Sequence, residues 1–140
     1  MSAFIKRVPV GEREYLIKIC SANQQWQILN LFFKYGLSDA LYRLAMSERD
    51  LVAASLLGRF AESATDQEKV ELSEMLLNGC MRADVENAKP VTVDDFHNDM
   101  FAYLCLHVEA LKVNFADFMP FLQSPEGETE ETPAQQMSPL

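Results

Sequence analysis

The stretch VDDFHNDMFAYLCLHVEALKVNFADFMPFL, residues 93–122, decides the fold. Phe96, Met100, Phe101, Leu104, Val108 and Leu111 recur at intervals of three and four. That spacing predicts an amphipathic helix over 94–112, the backbone of the core. Burying one Leu or Phe fully is worth about 1.5–3 kcal/mol. Thr92 and Asp95 hold the two positions of a capping box, and Asp94 and Asp95 suit the positive end of the helix dipole. A break is expected at Asn114, followed by a short aromatic turn or helix with Phe115, Phe118 and Phe121. Only one face of so short an element meets its own core, which leaves the other for an oligomer seam. Pro120 either sits near its start or distorts it.

Beyond this stretch the composition changes to Pro, Glu, Thr and Gln, with Glu126, Glu128, Glu130 and Glu131 unaccompanied by any base. Nothing there repays the entropy of ordering, so a disordered acidic tail is expected. The organisation predicted is one helical domain over 1–122 and a tail over 123–140.

Upstream, the chain reads as short helices. Ser21 with Gln24, and Thr65 with Glu68, form capping boxes, and Ser47 with Asp50 has the same spacing with an Asp in place of Glu or Gln. The first helix carries Trp26, Ile28, Leu29, Phe32 and Phe33 and ends or bends at Gly36. The second spans 38–46 with Leu41 and Leu44; the third carries Leu51, Ala54, Leu57 and Phe60; the fourth carries Val70, Leu72, Leu76 and Leu77 and ends near Gly79. Core packing is the first reading of Trp26, Phe32, Phe33 and Tyr35. Their apolar neighbours fill more than one stripe, which leaves a second face for a subunit or partner. Residues 82–93 read as irregular or extended, with Val91 and Val93 able to form a short strand. Residues 3–8 and 14–20, separated by Pro9 and Gly11, read as a β-hairpin with Tyr15, Ile17 and Ile19 on one face. An isolated hairpin is marginal in water, so it must pack on the helices or on another chain. The fold class is mainly α: a small helical domain with a short N-terminal β-hairpin.

Composition excludes several functions. The chain has 140 residues, 49% of them apolar, enough for one core. Its net charge of −9 and lack of a basic stripe argue against a nucleic-acid partner. No apolar run reaches the length of a membrane span, and the first 20 residues lack the apolar centre of a secretory signal. The three cysteines, Cys20, Cys80 and Cys105, are dispersed and odd in number, which suits buried thiols in a reducing compartment.

No reactive constellation stands out. His97 and His107 lie ten residues apart, about 15 Å along a helix, too far for one ion to join them directly. Both read as solvated or helix-packing residues. No HExxH, closely spaced Cys/His set, phosphate-binding glycine loop or nucleophile motif occurs. Ser21 and Ser47 read as helix caps, and adjacent Asp94 and Asp95 do not face each other across a cleft. The expectation is no catalytic residue, no metal, no cofactor and no small-molecule substrate.

The N-terminal EREYLIKICSA (12–22), the run of small helices, and the late KPVTVDDFHNDMFAYLCLHVEALKVNFADF (89–118) together resemble the tail assembly chaperones of long-tailed bacteriophages. The resemblance covers roughly residues 3–122 and is carried by Tyr15, Ile17 and Cys20–Ser21–Ala22, and by the closing Val113–Asn114–Phe115–Ala116–Asp117–Phe118. Ser21 stands where members carry a proline. The resemblance implies a non-catalytic helical protein that binds the tape-measure protein, keeps its hydrophobic helices soluble and helps recruit the tail-tube protein. It implies action in the bacterial host cytoplasm, a homo-oligomer, and absence from the mature virion. It also makes Tyr15 and Ile17 a packing or assembly strand and Asn114, Phe115 and Phe118 a closing turn, with the Asn114 oxygen placed to cap the last helix. Trp26, Phe33 and Phe121 join these as candidate packing or partner-binding residues. The alternatives are an acidic phage-encoded regulator or inhibitor of a host protein, which would bind a basic site in a salt-sensitive way, and a minor structural subunit of the virion.

Overall fold

The computed structural model describes residues 5–46 and 50–115. The expected cap at Ser47, the aromatic residues Phe118 and Phe121, and the expected acidic tail lie outside the described residues. The described residues form, in order, β1 (Ile5–Val10), β2 (Arg13–Lys18), α1 (Ala22–Lys34), α2 (Ser38–Met46), α3 (Asp50–Ser63), α4 (Asp66–Leu76), β3 (Met81–Arg82), a 3-10 turn (Val93–Phe96) and α5 (Met100–Phe115). The architecture is the mainly helical one expected, with a small antiparallel sheet at its N-terminal side.

The hairpin is tighter than its sequence suggests. Val10 pairs with Arg13, so Gly11 and Glu12 alone make the turn. Gly11 adopts φ 63°, a left-handed conformation that a side chain disfavours. Pro9 is therefore not in the turn but in β1, paired with Glu14. β1 is an edge strand, where a missing amide breaks no ladder. Tyr15 and Ile17 point inward and are fully buried, while Ile19, beyond the strand, is half-buried. The sheet gains a third strand not expected from the sequence: β3 pairs Met81 with Leu16 and Arg82 with Tyr15. Two residues are too few to show alternation.

Both capping boxes expected at Ser21–Gln24 and Thr65–Glu68 form. Each hydroxyl accepts from the backbone amide three residues on, and each third residue's side chain accepts from the cap amide. Gly36 and Gly79, at φ 71° and 74°, end α1 and follow α4.

The decisive stretch departs from expectation in three ways. First, the helix over 94–112 is not continuous. Thr92 and Asp95 start a 3-10 turn instead, with the Asp95 carboxylate accepting from the Thr92 amide at 2.8 Å. Asn98 then turns left-handed at φ 65°, which asparagine tolerates better than most residues. The Asp99 carbonyl accepts the first α-helical bond of α5, from the Tyr103 amide. Second, Asn114 does not break the helix; α5 runs through it to Phe115. Third, the buried face is rotated. Met100, Phe101 and Leu104 are exposed, whereas Leu106, His107, Val108, Ala110 and Leu111 are buried. The inward stripe is Tyr103, Leu106, His107, Ala110, Leu111 and Asn114. It keeps helical spacing but contains two polar residues. Because α5 is apolar on nearly every side, apolar periodicity could not select its face.

α5 packs against β1, α2, α3 and α4 and is thus the centre of the core. Tyr15 stacks on Phe96 with ring centroids 6.1 Å apart, and Phe96 meets Tyr103 at 5.0 Å. This aromatic column fastens the sheet to the start of α5. A second cluster joins α1 to α3: Phe60 meets the edges of Phe32 and Tyr35 at 5.3 and 5.8 Å.

Candidate functional site

The closing Asn114 connects the two ends of the fold. Its Oδ1 accepts from the Cys20 backbone amide at 2.9 Å and from Gln25 Nε2 at 3.1 Å. Its Nδ2 donates to the Ala110 carbonyl at 2.9 Å. Asparagine suits this position because one side chain supplies both an acceptor and a donor. It serves as a latch between α5 and the start of α1; the further helix it was expected to cap lies outside the described residues.

The latch sits at one end of an open apolar groove of about 510 Å³. α1 contributes Gln25, Leu29 and Phe33; α2 contributes Leu41, Tyr42 and Ala45; α5 contributes Asn114 and Phe115. Leu41 is nearly fully buried, whereas Phe33 and Tyr42 are 45% and 69% exposed. Two large aromatic side chains left in water beside an apolar recess mark a surface suited to a partner. Gln25, Leu29 and Phe33 recur every fourth residue along α1, which puts them on one strip facing the groove.

The groove's α1 wall is braced from behind. The Glu68 carboxylate accepts from Lys34 Nζ at 2.6 Å, from the Tyr35 hydroxyl and from the Thr65 amide at 2.9 Å. Hydrogen bonds from Lys34, Tyr35 and Thr65 hold its pKa down at about 2. One residue thus completes the cap of α4 and ties that cap to the end of α1.

His107 is structural in the same sense. Its Nδ1 donates to the Tyr103 carbonyl at 2.8 Å, so its Nε2 accepts from the Ser73 hydroxyl, also at 2.8 Å. Burial pushes its pKa below the ordinary imidazole value. The folded protein therefore favours neutral His107, and its contribution to stability is present above the unfolded pKa of about 6.5 and declines as pH falls below it. Glu68 acts in a lower window: its contribution is complete above about pH 4.3 and is lost as pH falls toward 2. A urea-midpoint series should thus fall in two stages on acidification. His107→Gln should flatten the first stage, which begins as pH falls below about 6.5, and leave the second.

Among the described residues no three His, Cys, Asp or Glu side chains converge to hold a metal ion. Cys20 and Cys80 are buried, and Cys105 is half-buried; none is disulfide-bonded. The Cys20 thiol donates to the Met75 carbonyl at 3.1 Å, and burial pushes the Cys80 thiol up to about 12. Among the described residues no helix is long and apolar enough to cross a membrane.

The candidate residues separate into groups. Phe33, Asn114 and Phe115 meet at the groove. Tyr15 and Ile17 lie under the sheet in the core, and Trp26 is 59% exposed on α1 without lining the groove. Leu29, Leu41 and Ala45 were read from the sequence only as apolar helix positions, not as groove residues, and Tyr42 was not read at all. Their signal was the apolar strip that continues along α2 at Leu41, Tyr42 and Ala45, alongside the buried Leu44.

A mainly helical scaffold presenting an open apolar groove with exposed aromatic walls suits a protein-binding module. The particular family follows from a family-model match over residues 11–127: the chain belongs to the phage tail assembly chaperone protein family, TAC. No curated protein and no solved structure matches it.

Proposed function

We propose that this chain binds and solubilises the tape-measure protein during tail assembly, and that the groove between α1, α2 and the end of α5 receives apolar helical segments of that protein. The observation that supports this most is the pairing of Phe33 and Tyr42, both solvent-exposed, across a recess based on Leu41. An amphipathic helix lays residues at three- and four-residue spacing into a groove of this kind. Such binding is reversible and needs no cofactor. It suits a protein that acts in the bacterial host cytoplasm, is released before the virion is complete, and hands its client to the tail-tube protein.

Co-expression tests the reading. The tape-measure protein should remain soluble and co-purify with this chain. Phe33→Glu together with Tyr42→Glu should weaken the complex at least tenfold, about 1.4 kcal/mol, while the far-ultraviolet circular dichroism of the variant stays native. A tape-measure protein that is equally soluble and equally bound with the double variant would show that the groove is not the binding surface.

A further inference from the structure

We propose that a second apolar trough, lined by α3, α4 and the start of α5, receives a basic amphipathic helix of a partner protein. Two recesses form it, of about 250 and about 670 Å³. They share Lys69, Ser73 and Tyr103, so they run into one another. Neither shares a lining residue with the groove between α1, α2 and the end of α5. Helical spacing builds its walls. Val70, Ser73 and Leu77 recur at three and four along α4 and its C-cap, which puts them on one strip. Met100 and Leu104 supply the α5 wall, four residues apart, and Leu57 and Ala61 the α3 wall. Val91 and Val93 line the larger recess. Val70, Val93, Met100 and Leu104 are each between 47% and 55% exposed. Met100 and Leu104 thus belong to an apolar stripe that the chain itself does not cover, a surface suited to a partner.

Charge selects the occupant. Residues 62–77 and 93–104 hold eight carboxylates and one Lys or Arg, Lys69. Glu68 is engaged by Lys34 of α1. Glu62, Asp66, Glu74, Asp94 and Asp99 are exposed on or beside the elements that line the trough. Lys69 pairs with Asp66 at 3.5 Å, which leaves the flanks acidic. An apolar floor between acidic flanks fits a helix with leucine or methionine on one face and lysine or arginine on either side of it. A second copy of this chain does not supply such a helix. Each of α1 to α5 carries a single Lys or Arg, and two copies of net charge −9 repel one another. The same carboxylates turn nucleic acid away. Because the trough and the first groove share no lining residue, one chain can hold two partner segments at once, and segments joined in one partner gain from that linkage.

Fluorescence anisotropy with the full chain tests this. The probe is a labelled peptide of about 20 residues, long enough to form a helix, with Leu and Met on one face and Lys and Arg flanking it. A control peptide keeps the apolar face and carries Glu at every basic position. The basic peptide should bind at least about tenfold more tightly than the control, and added salt should narrow that gap as the flanks are screened. Val70→Lys with Glu74→Lys should weaken its binding at least about tenfold, and Met100→Ser with Leu104→Ser, at exposed positions, at least about fivefold. Circular dichroism should stay native in both. Phe33→Glu with Tyr42→Glu, in the first groove, should leave binding of the basic peptide unchanged. Equal affinity for the two peptides overturns the proposal, as does full affinity in both trough variants. Binding lost only with Phe33→Glu and Tyr42→Glu also overturns it, and leaves the tape-measure reading of the first groove standing. Dimers that the trough variants abolish, with no peptide binding, overturn it too and assign the trough to a second copy.

Discussion

Phe60→Ala should cost about 4 kcal/mol of folding stability, the largest loss expected from any single change discussed. Phe60 is 1% exposed and lies between Phe32 and Tyr35, meeting both rings by their edges. Removing its ring takes away transfer energy and both aromatic contacts, and it leaves a cavity that α1 and α3 can close only in part. Domains of this size have about 5–15 kcal/mol in total, so the variant keeps a fold but with little reserve. The thermal midpoint should fall by on the order of 10–15 °C. Phe60→Leu, which retains much of the volume, should lose less than half as much. Equal losses for the two variants would show that the aromatic edges, rather than volume, hold α1 on α3. The consequence for function is direct. Phe32 and Phe33 are neighbours on α1, so loosening the buried one also loosens the groove wall that carries the other.

Asn114→Ala comes next, with an expected loss of about 2–3 kcal/mol. Its oxygen is the partner of the Cys20 amide, which lies just after β2 and just before the Ser21 cap. Deleting the side chain leaves that partly buried amide without the acceptor it has here and frees Gln25 as well. An orphaned donor costs more than the net worth of the bond itself. Asn114→Asp preserves the acceptor but loses the donation to Ala110 and places a charge in a partly buried position, so it should fall between Ala and the native residue. Hydrogen exchange gives the sharper test. The Cys20 amide should lose protection in Asn114→Ala well beyond the drop in global stability. If its protection follows global stability alone, Asn114 is not the latch. Because the same residue lines the groove, binding of the tape-measure protein should weaken in this variant even at temperatures where it is fully folded.

The legible part of the fold followed from local physics. Ser21–Gln24 and Thr65–Glu68 announced helix starts because a capping box needs only residues three apart. The span of α2 was readable from its own periodicity, and Tyr15 and Ile17 were readable as an inward face because alternation is a local property. Absence of clustered ligands or nucleophile motifs, together with the closing segment's likeness to tail assembly chaperones, pointed to the family that the match over residues 11–127 identifies. What sequence could not supply was choice among equivalents. On α5, Met100, Phe101 and Leu104 are as apolar as Leu106, Ala110 and Leu111, and only the packing of β1, α2, α3 and α4 around the helix decides which set is buried.

The sequence by itself therefore determined the helical class and most helix starts, since each depends on residues within a few positions of one another, and the family, since that rests on residue order along the chain and not on packing. Only the tertiary structure decided the strand at Met81–Arg82, the inward orientation of His107 and the gathering of Gln25, Leu29, Leu41, Tyr42 and Asn114 into one groove. The reason is that those features depend on partners far along the chain. A buried or partly buried polar residue such as His107 or Asn114 costs free energy until Ser73 or Cys20 arrives to pair with it, and nothing within one turn of helix reveals that these partners will be there.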